Sequence, residues 1–146
     1  MKTLKIDLGK CGYGRDCGHE CEATCASKVF KCEDPARAAL HIIAPVNPGN
    51  PDKGEGRAIL CDQCGDCVIV CPADALARNK QGVVLLNKKL CVHCYTCIGF
   101  CEKRAFERNP ALLEPYKCIA CGICVRACPR SALEIAEVPT PAPRII

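Results

Sequence analysis

The chain has 146 residues, enough for one compact domain or two small lobes, and a formal net charge of +4. Seventeen cysteines inflate the 49% that counts as hydrophobic, and with no tryptophan, three phenylalanines and three tyrosines little remains for an apolar core. The odd cysteine count and the lack of an apolar run of signal-peptide or membrane-spanning length argue against a secreted disulfide scaffold and direct membrane insertion, so we expect a cytoplasmic protein with reduced thiols.

The first cysteine group is irregular. Its members are separated by five, three and three residues, at Cys11, Cys17, Cys21 and Cys25. Cys32 follows and is an alternative to Cys25 as the last member. We favour Cys25, because its interval from Cys21 matches the final interval of the groups further along the chain.

Three later groups repeat one spacing, Cys-x2-Cys-x2-Cys-x3-Cys. They are the second group, Cys61, Cys64, Cys67 and Cys71, the third group, Cys91, Cys94, Cys97 and Cys101, and the fourth group, Cys118, Cys121, Cys124 and Cys128. Three residues separate each last cysteine from an alanine that an apolar residue follows, and these alanines are Ala75, Ala105 and Ala132. A small residue there lets the backbone approach whatever the cysteines bind, and the apolar residue opens a strand. Each unit is predicted to be a cysteine loop, a short helical turn and a strand.

The segments between the groups have simpler patterns. Residues 39–43 predict a strand, and a proline- and glycine-rich loop follows at 45–56. Residues 75–77 and 83–86 predict a β-hairpin around a turn at 79–82. The layout is interrupted near Pro110, where we expect a lobe boundary.

The regular spacing is the ligand pattern of a cubane [4Fe–4S] cluster. Three cysteines at x2 intervals hold one cluster, while the fourth, one helical turn further on, ligates the neighbouring cluster. Exchanging the last cysteines between the middle groups predicts site C, with Cys61, Cys64, Cys67 and Cys101, and site D, with Cys71, Cys91, Cys94 and Cys97. The same exchange between the first and fourth groups predicts site A, with Cys11, Cys17, Cys21 and Cys128, and site B, with Cys25, Cys118, Cys121 and Cys124.

Structural zinc is the alternative at any one group. Zinc uses two well-separated Cys-x2-Cys pairs, whereas three cysteines at x2 spacing crowd more thiolates into one loop than a tetrahedral site shares. Four oxidised clusters of about −2 each would change the net charge from +4 to about −4. The lysine- and arginine-rich stretches then offset cluster charge, and no nucleic-acid partner is expected.

With a ferredoxin-like middle pair of groups and an outer pair split around it, the chain resembles the four-cluster iron–sulfur subunits that accompany molybdenum and tungsten enzymes. It looks most like the small subunits beside tungsten-dependent aldehyde oxidoreductases. The resemblance implies an α+β fold of two pseudo-symmetric, bacterial-ferredoxin-like lobes with short β-hairpins and short helices around four [4Fe–4S] clusters. The outer lobe would comprise residues 1–57 and 111–138, the inner lobe 58–110, and an extended proline-rich tail 139–146.

The resemblance also implies a function. The chain would be a non-catalytic electron-transfer subunit whose partners are a catalytic subunit with a tungsten or molybdenum pterin and a flavin subunit or ferredoxin as acceptor. The residues agree, since we find no nucleophile–base pair, phosphate loop or open metal position. A free-standing soluble polyferredoxin serving several enzymes and a zinc-binding interaction module are the alternatives.

Overall fold

The structure, a computed structural model, describes residues 1–12, 17–44 and 56–140. Its strands are β1 Lys2–Ile6, β2 Leu40–Ile43, β3 Arg57–Leu60, β4 Leu76–Arg78, β5 Val84–Leu86 and β6 Leu133–Glu137. Its helices are α1 Leu8–Cys11, α2 Glu20–Thr24, α3 Asp66–Val70, α4 Thr96–Phe100 and α5 Ile123–Ala127, with a π-helical turn at Cys25–Val29 and a 3-10 turn at Pro35–Arg37. These short elements are compatible with a ferredoxin-like fold. Across the described ranges, every helix is too short or too polar to cross a membrane.

The strands pair as three antiparallel ribbons in the described part of the chain. β1 pairs with β6, from Lys2 opposite Glu137 to Ile6 opposite Leu133, and this pairing brings the beginning of the chain against its last strand. β2 pairs with β3, and β4 pairs with β5. The N–H of Lys2 also donates to the carbonyl of Gln81 at 2.9 Å, so the β1–β6 ribbon contacts the turn between β4 and β5.

The predicted hairpin is confirmed as β4 and β5. Asn79 organises its turn, since its Oδ1 accepts from the N–H groups of Gln81 at 2.9 Å and Val83 at 3.0 Å. Gly82 closes the turn at φ +79°, a left-handed conformation that glycine adopts without steric cost. The strand predicted at 39–43 is β2, whereas residues 45–55 of the predicted loop lie outside the described residues.

β1 and α1 were not predicted. Leu4 and Ile6 alternate with Lys5, and in the structure Leu4 is buried while Lys5 is exposed. This alternation is an ordinary strand signal that spans only a few residues. α1 begins after Asp7, whose side chain accepts from the N–H of Lys10 at 3.1 Å and caps the helix.

In the described structure, the unit of the third cysteine group lacks the strand ribbon of the second group, as the interruption near Pro110 predicts. Instead of a full ribbon, an isolated antiparallel bridge joins Glu107 and Tyr116, with N–H to carbonyl distances of 2.7 and 3.0 Å. The lobe ranges 1–57 with 111–138, and 58–110, stay predictions. So does the extended tail, of which 141–146 lie outside the described residues.

Buried side chains form two hydrophobic clusters in the described structure, and both contain cysteine. Six of the fifteen residues of the larger cluster are cysteines, namely Cys11, Cys21, Cys25, Cys61, Cys118 and Cys124. The smaller cluster consists of Leu76, Val84, Cys97 and Phe106. α2 contacts α5, and α3 contacts α4, so the first cysteine group lies against the fourth and the second against the third.

Candidate metal centres

The regular cysteine loops repeat three left-handed backbone positions. The first position lies two residues after the first cysteine of each loop and is occupied by Gln63, His93 and Ala120, with φ of 59°, 58° and 52°. The second position lies four residues after the first cysteine and is occupied by Gly65, Tyr95 and Gly122. The third position lies three residues after the last cysteine and is occupied by Asp74, Arg104 and Ser131. Left-handed residues between right-handed ones turn successive N–H groups to one side and create a concave nest that suits anions and iron–sulfur clusters. A left-handed residue other than glycine costs roughly 1–2 kcal/mol, so these residues keep the loop conformation against their own backbone preference.

Backbone N–H groups point at the cysteine sulfurs. The alanine that follows each regular group donates to the Sγ of that group's last cysteine: Ala75 to Cys71 at 3.3 Å, Ala105 to Cys101 at 3.4 Å and Ala132 to Cys128 at 3.5 Å. All three alanines are buried. Hydrogen bonds to sulfur favour the thiolate and tune the potential of a bound cluster.

The structure also explains a second feature of the repeats, the residue at a fixed distance after the first cysteine of each regular group. Seventeen residues after the first cysteine of each unit stand Arg78, Arg108 and Ile135. The Arg78 guanidinium donates to the carbonyl of Cys64 at 2.8 Å, and the Arg108 guanidinium lies 4.0 Å from the ring centre of Tyr95. In the second and third groups the arginine therefore lies back over the cysteine loop of its own unit.

Four cavities lie among the cysteines, and the lining of each contains one of the predicted sets. Each cavity is lined by three cysteines of one group and the last cysteine of another. The structure thus brings together all sixteen cysteines in the predicted combinations, and their role as ligands stays a prediction.

Cys25 and Cys32 have different surroundings. Cys25 is buried, lines the cavity of site B, and its Sγ accepts from the N–H of Ala39 at 3.4 Å. Cys32 is half-buried and lines none of the four cavities in the described part of the chain. This placement favours Cys25.

The thiols surround cavities and do not converge on a point. Within residues 1–12, 17–44 and 56–140, no three His, Cys, Asp or Glu side chains are grouped so as to hold a single metal ion. Soft sulfur donors around a cavity, with N–H groups aimed at the sulfurs, fit a cubane cluster.

Burial raises the pKa of many of these thiols. The pKa rises to about 12 for Cys21, Cys67 and Cys124, and to about 11 for Cys97 and Cys118, chiefly because burial disfavours the thiolate. Iron binds the thiolate, so cluster insertion must release these protons. The exposed Cys94 is the opposite case, since a hydrogen bond from the Thr96 hydroxyl lowers its pKa.

Thiols of neighbouring sites lie close enough to influence one another. Charges on neighbouring thiols also raise the pKa of several buried cysteines, and some of these neighbours belong to another site. Cys124 of site B senses Cys21 of site A, Cys118 of site B senses Cys61 of site C, and Cys67 of site C senses Cys97 of site D. The packing gives the same neighbours, since α2 contacts α5, the Gln63 side chain donates to the carbonyl of Cys118 at 2.8 Å, and α3 contacts α4. Site A therefore lies next to site B, B next to C, and C next to D.

The sequence reasoning missed three buried polar residues beside the cysteines, Gln63, Asp66 and Lys117. Gln63 is completely buried, and Lys117 is 5% exposed; both line the cavity of site C. Alignment of the repeats contained the signal for Lys117, because the residue before the first cysteine is Leu60 in the second group and Leu90 in the third. A lysine in the place of two leucines marks a position with a different role.

Comparison with known proteins agrees with this chemistry. Residues 83–129 match the family described as 4Fe-4S dicluster domain. A polysulfide reductase subunit of Wolinella succinogenes is 35% identical over 97 residues, which cover 58% of this chain and 51% of that protein. The arsenate respiratory reductase iron-sulfur subunit ArrB of a Shewanella species is 33% identical over 114 residues, covering 74% of this chain and 45% of that protein.

A third relative is matched over more of its length. The thiosulfate reductase electron transfer subunit PhsB of Salmonella typhi is 29% identical over 134 residues, covering 81% of this chain and 70% of that protein. The chain spans about half the length of the polysulfide and arsenate reductase subunits. Residues 83–129 are therefore similar to a 4Fe–4S dicluster domain, and the chain is similar to iron–sulfur and electron-transfer subunits of reductases.

Proposed function

We propose that this chain is a non-catalytic electron-transfer subunit that binds four [4Fe–4S] clusters, at sites A to D, and relays single electrons between a catalytic oxidoreductase subunit and an electron acceptor. The observation that carries the proposal is the set of four cavities, each lined by four cysteines from two groups. The relatives support it, since two of them are named as an iron–sulfur subunit and an electron transfer subunit. Bound clusters would supply one-electron donor and acceptor centres.

The protein's own residues would position and tune these centres. Sixteen thiolates fix their places, and N–H groups such as those of Ala75 and Ala105 hydrogen-bond the sulfurs. The spatial order A, B, C, D provides one continuous path with sites A and D at its ends. At site D the Cys94 side chain is exposed, and Val92, which lines the same cavity, is 63% exposed. Site D is therefore the end that we assign to contact with a redox partner.

The partners belong to the same proposal. The resemblance to small subunits beside tungsten-dependent aldehyde oxidoreductases favours a catalytic partner with a tungsten or molybdenum pterin that acts on aldehydes, and a flavin subunit or ferredoxin as acceptor. The named relatives belong to polysulfide, arsenate and thiosulfate reductases, so a reductase of that kind is the competing partner. We place the complex in the cytoplasm, without direct membrane insertion and without nucleic acid.

Anaerobic purification of the chain with whatever binds it tests the proposal. We expect brown protein with about sixteen irons and about sixteen sulfides per chain, and electron paramagnetic resonance signals of reduced cubane clusters. Native mass spectrometry of the complex then identifies the catalytic partner and its metal. Colourless, zinc-containing protein would exclude the electron-transfer function in favour of the zinc-binding module. An iron-replete chain without a partner, able to reduce several acceptors, would instead be a free-standing carrier.

A further inference from the structure

Lys117 places a buried ammonium group between the two halves of the cluster path. Its side chain is almost fully enclosed and lines the cavity of site C. Its Nζ donates to Gln63 Oε1 at 3.0 Å, to the carbonyl of Val84 at 2.7 Å and to the carbonyl of Cys118 at 3.2 Å. These three acceptors are neutral. Hydrogen bonds thus satisfy the ammonium group without cancelling its charge, which is an expensive arrangement for a lysine inside a protein.

Gln63 connects the same two sites. Its N–H donates to the Sγ of Cys61 in site C at 3.3 Å, while its Nε2 donates to the carbonyl of Cys118 in site B at 2.8 Å. Its Oε1 accepts from Lys117 and from the N–H of Val84 at 3.0 Å. The loop of the second cysteine group is therefore held against the loop of the fourth by one completely buried side chain.

Lys117 lies beside the cysteines of both sites. It lines the cavity of site C together with Cys61 and Cys67. It also directly precedes Cys118 of site B, and its Nζ donates to the carbonyl of that cysteine. Another buried charge, Asp66, lines the same cavity, so site C contains buried groups of both signs.

A buried cation acts on a redox centre in a defined direction. Reduction adds one electron and no proton, so the centre becomes more negative while its neighbour loses one electron. A positive charge stabilises the reduced form, and low dielectric strengthens the effect compared with water. Lysine at this position therefore raises the potential of the nearer centre more than that of the farther one.

We propose that Lys117 is a positioning residue that raises the reduction potential of site C above the value set by its cysteines alone and, through Gln63, holds sites B and C at a fixed separation. The inference rests on the proposed function, because it requires clusters at both sites. Site C lies where the outer pair, sites A and B, meets the inner pair, sites C and D. A raised potential there makes site C a local electron sink from which the next transfer starts.

Potentiometric titration of the iron-loaded protein, monitored by electron paramagnetic resonance, tests this assignment. Lys117→Met preserves the length of the side chain and removes its charge. We expect one cluster to shift to lower potential, a second to shift less in the same direction, and the other two to keep their potentials. Lys117→Arg, which keeps the charge, should restore most of the potential. Lys103→Met is the matched control, because Lys103 lines the same cavity but is half exposed and lies 3.9 Å from Asp62; it should have little effect.

The outcomes separate the inference from the proposed function. Wild-type protein without about sixteen irons would contradict the function itself. Iron-replete Lys117→Met with four unchanged potentials would overturn only the role of Lys117. If Lys117→Met fails to load iron, Lys117→Gln retains a hydrogen-bond donor without the charge. Loss of iron from that variant too would also overturn the inference, since Lys117 would then be a folding requirement and not a tuning residue.

Discussion

At the scale of single residues, the contacts of each sulfur decide which cysteine serves a site. Cys21, Cys25 and Cys32 belong to one irregular stretch, and spacing alone leaves a choice for its last member. The Sγ of Cys25 accepts a backbone N–H and lines a cavity with Cys118. In the described structure Cys32 forms a hydrogen bond through its backbone, since its N–H donates to the carbonyl of Ala26 at 2.9 Å. A change of the Cys32 side chain leaves that bond intact.

Cys25→Ser and Cys32→Ser form a matched pair that tests this difference. We expect Cys25→Ser to lose or convert the cluster at site B, with a loss of up to about four of about sixteen irons per chain. Cys32→Ser should retain its full iron content, because its sulfur lies outside the four cavities. Iron and sulfide analysis of the anaerobically purified variants provides the measurement. Iron loss from Cys32→Ser with a replete Cys25→Ser would exchange the roles of the two residues.

At the scale of elements, the repeated unit makes the structure only partly predictable from the sequence. The hairpin around Asn79 and Gly82, and the strand after Ala132, follow from local turn chemistry and spacing, and both are present. The pairing of β1 with β6 joins segments at opposite ends of the chain, and no short-range pattern contains that information. The roles of Lys117 and Gln63 depend on contacts of the same kind, since Lys117 donates to Gln63 and Gln63 donates to the carbonyl of Cys118 in another repeat.

The pairing of cysteine groups is the sharpest question at this scale. The matched 4Fe-4S dicluster family covers residues 83–129, which contain the third and fourth groups. The cavities instead combine the third group with the second, and α3 contacts α4 accordingly. If the third and fourth groups exchanged their last cysteines, Cys101 would belong with Cys118, whereas in the structure it lines the cavity of Cys61.

Cys71→Ser and Cys101→Ser distinguish these pairings. Cys71→Ser should change the spectrum of site D, the cluster of Cys91, Cys94 and Cys97, and leave that of site C unchanged. Cys101→Ser should change site C and leave sites B and D unchanged. Electron paramagnetic resonance of the stepwise reduced variants, compared with the wild type, reports which cluster has altered. A Cys101→Ser variant with a changed site B spectrum would instead support exchange between the third and fourth groups.

At the scale of the whole molecule, the cysteines supply much of the interior. They make up six of the fifteen residues of the larger buried cluster, and the remainder consists of alanine, leucine and isoleucine. The aromatic contribution is small, with Phe30 and Tyr116 stacked at 4.3 Å and Phe106 in the smaller cluster. A core of this kind buries little apolar surface, so under the proposed function we expect most of the folding free energy to come from the bound clusters.

Removal of iron should therefore unfold the protein. Structural metal sites contribute on the order of 10 kcal/mol, comparable with the roughly 5–15 kcal/mol that stabilises a whole domain. After oxidation and chelation of the iron, followed by removal of the oxidant and reduction of the thiols, we expect loss of far-ultraviolet circular dichroism and rapid amide exchange in β1 and β6. Chelator without oxidant is the control and should leave both signals unchanged. Iron-free protein with protected amides in the β1–β6 ribbon would show that the polypeptide core folds without metal.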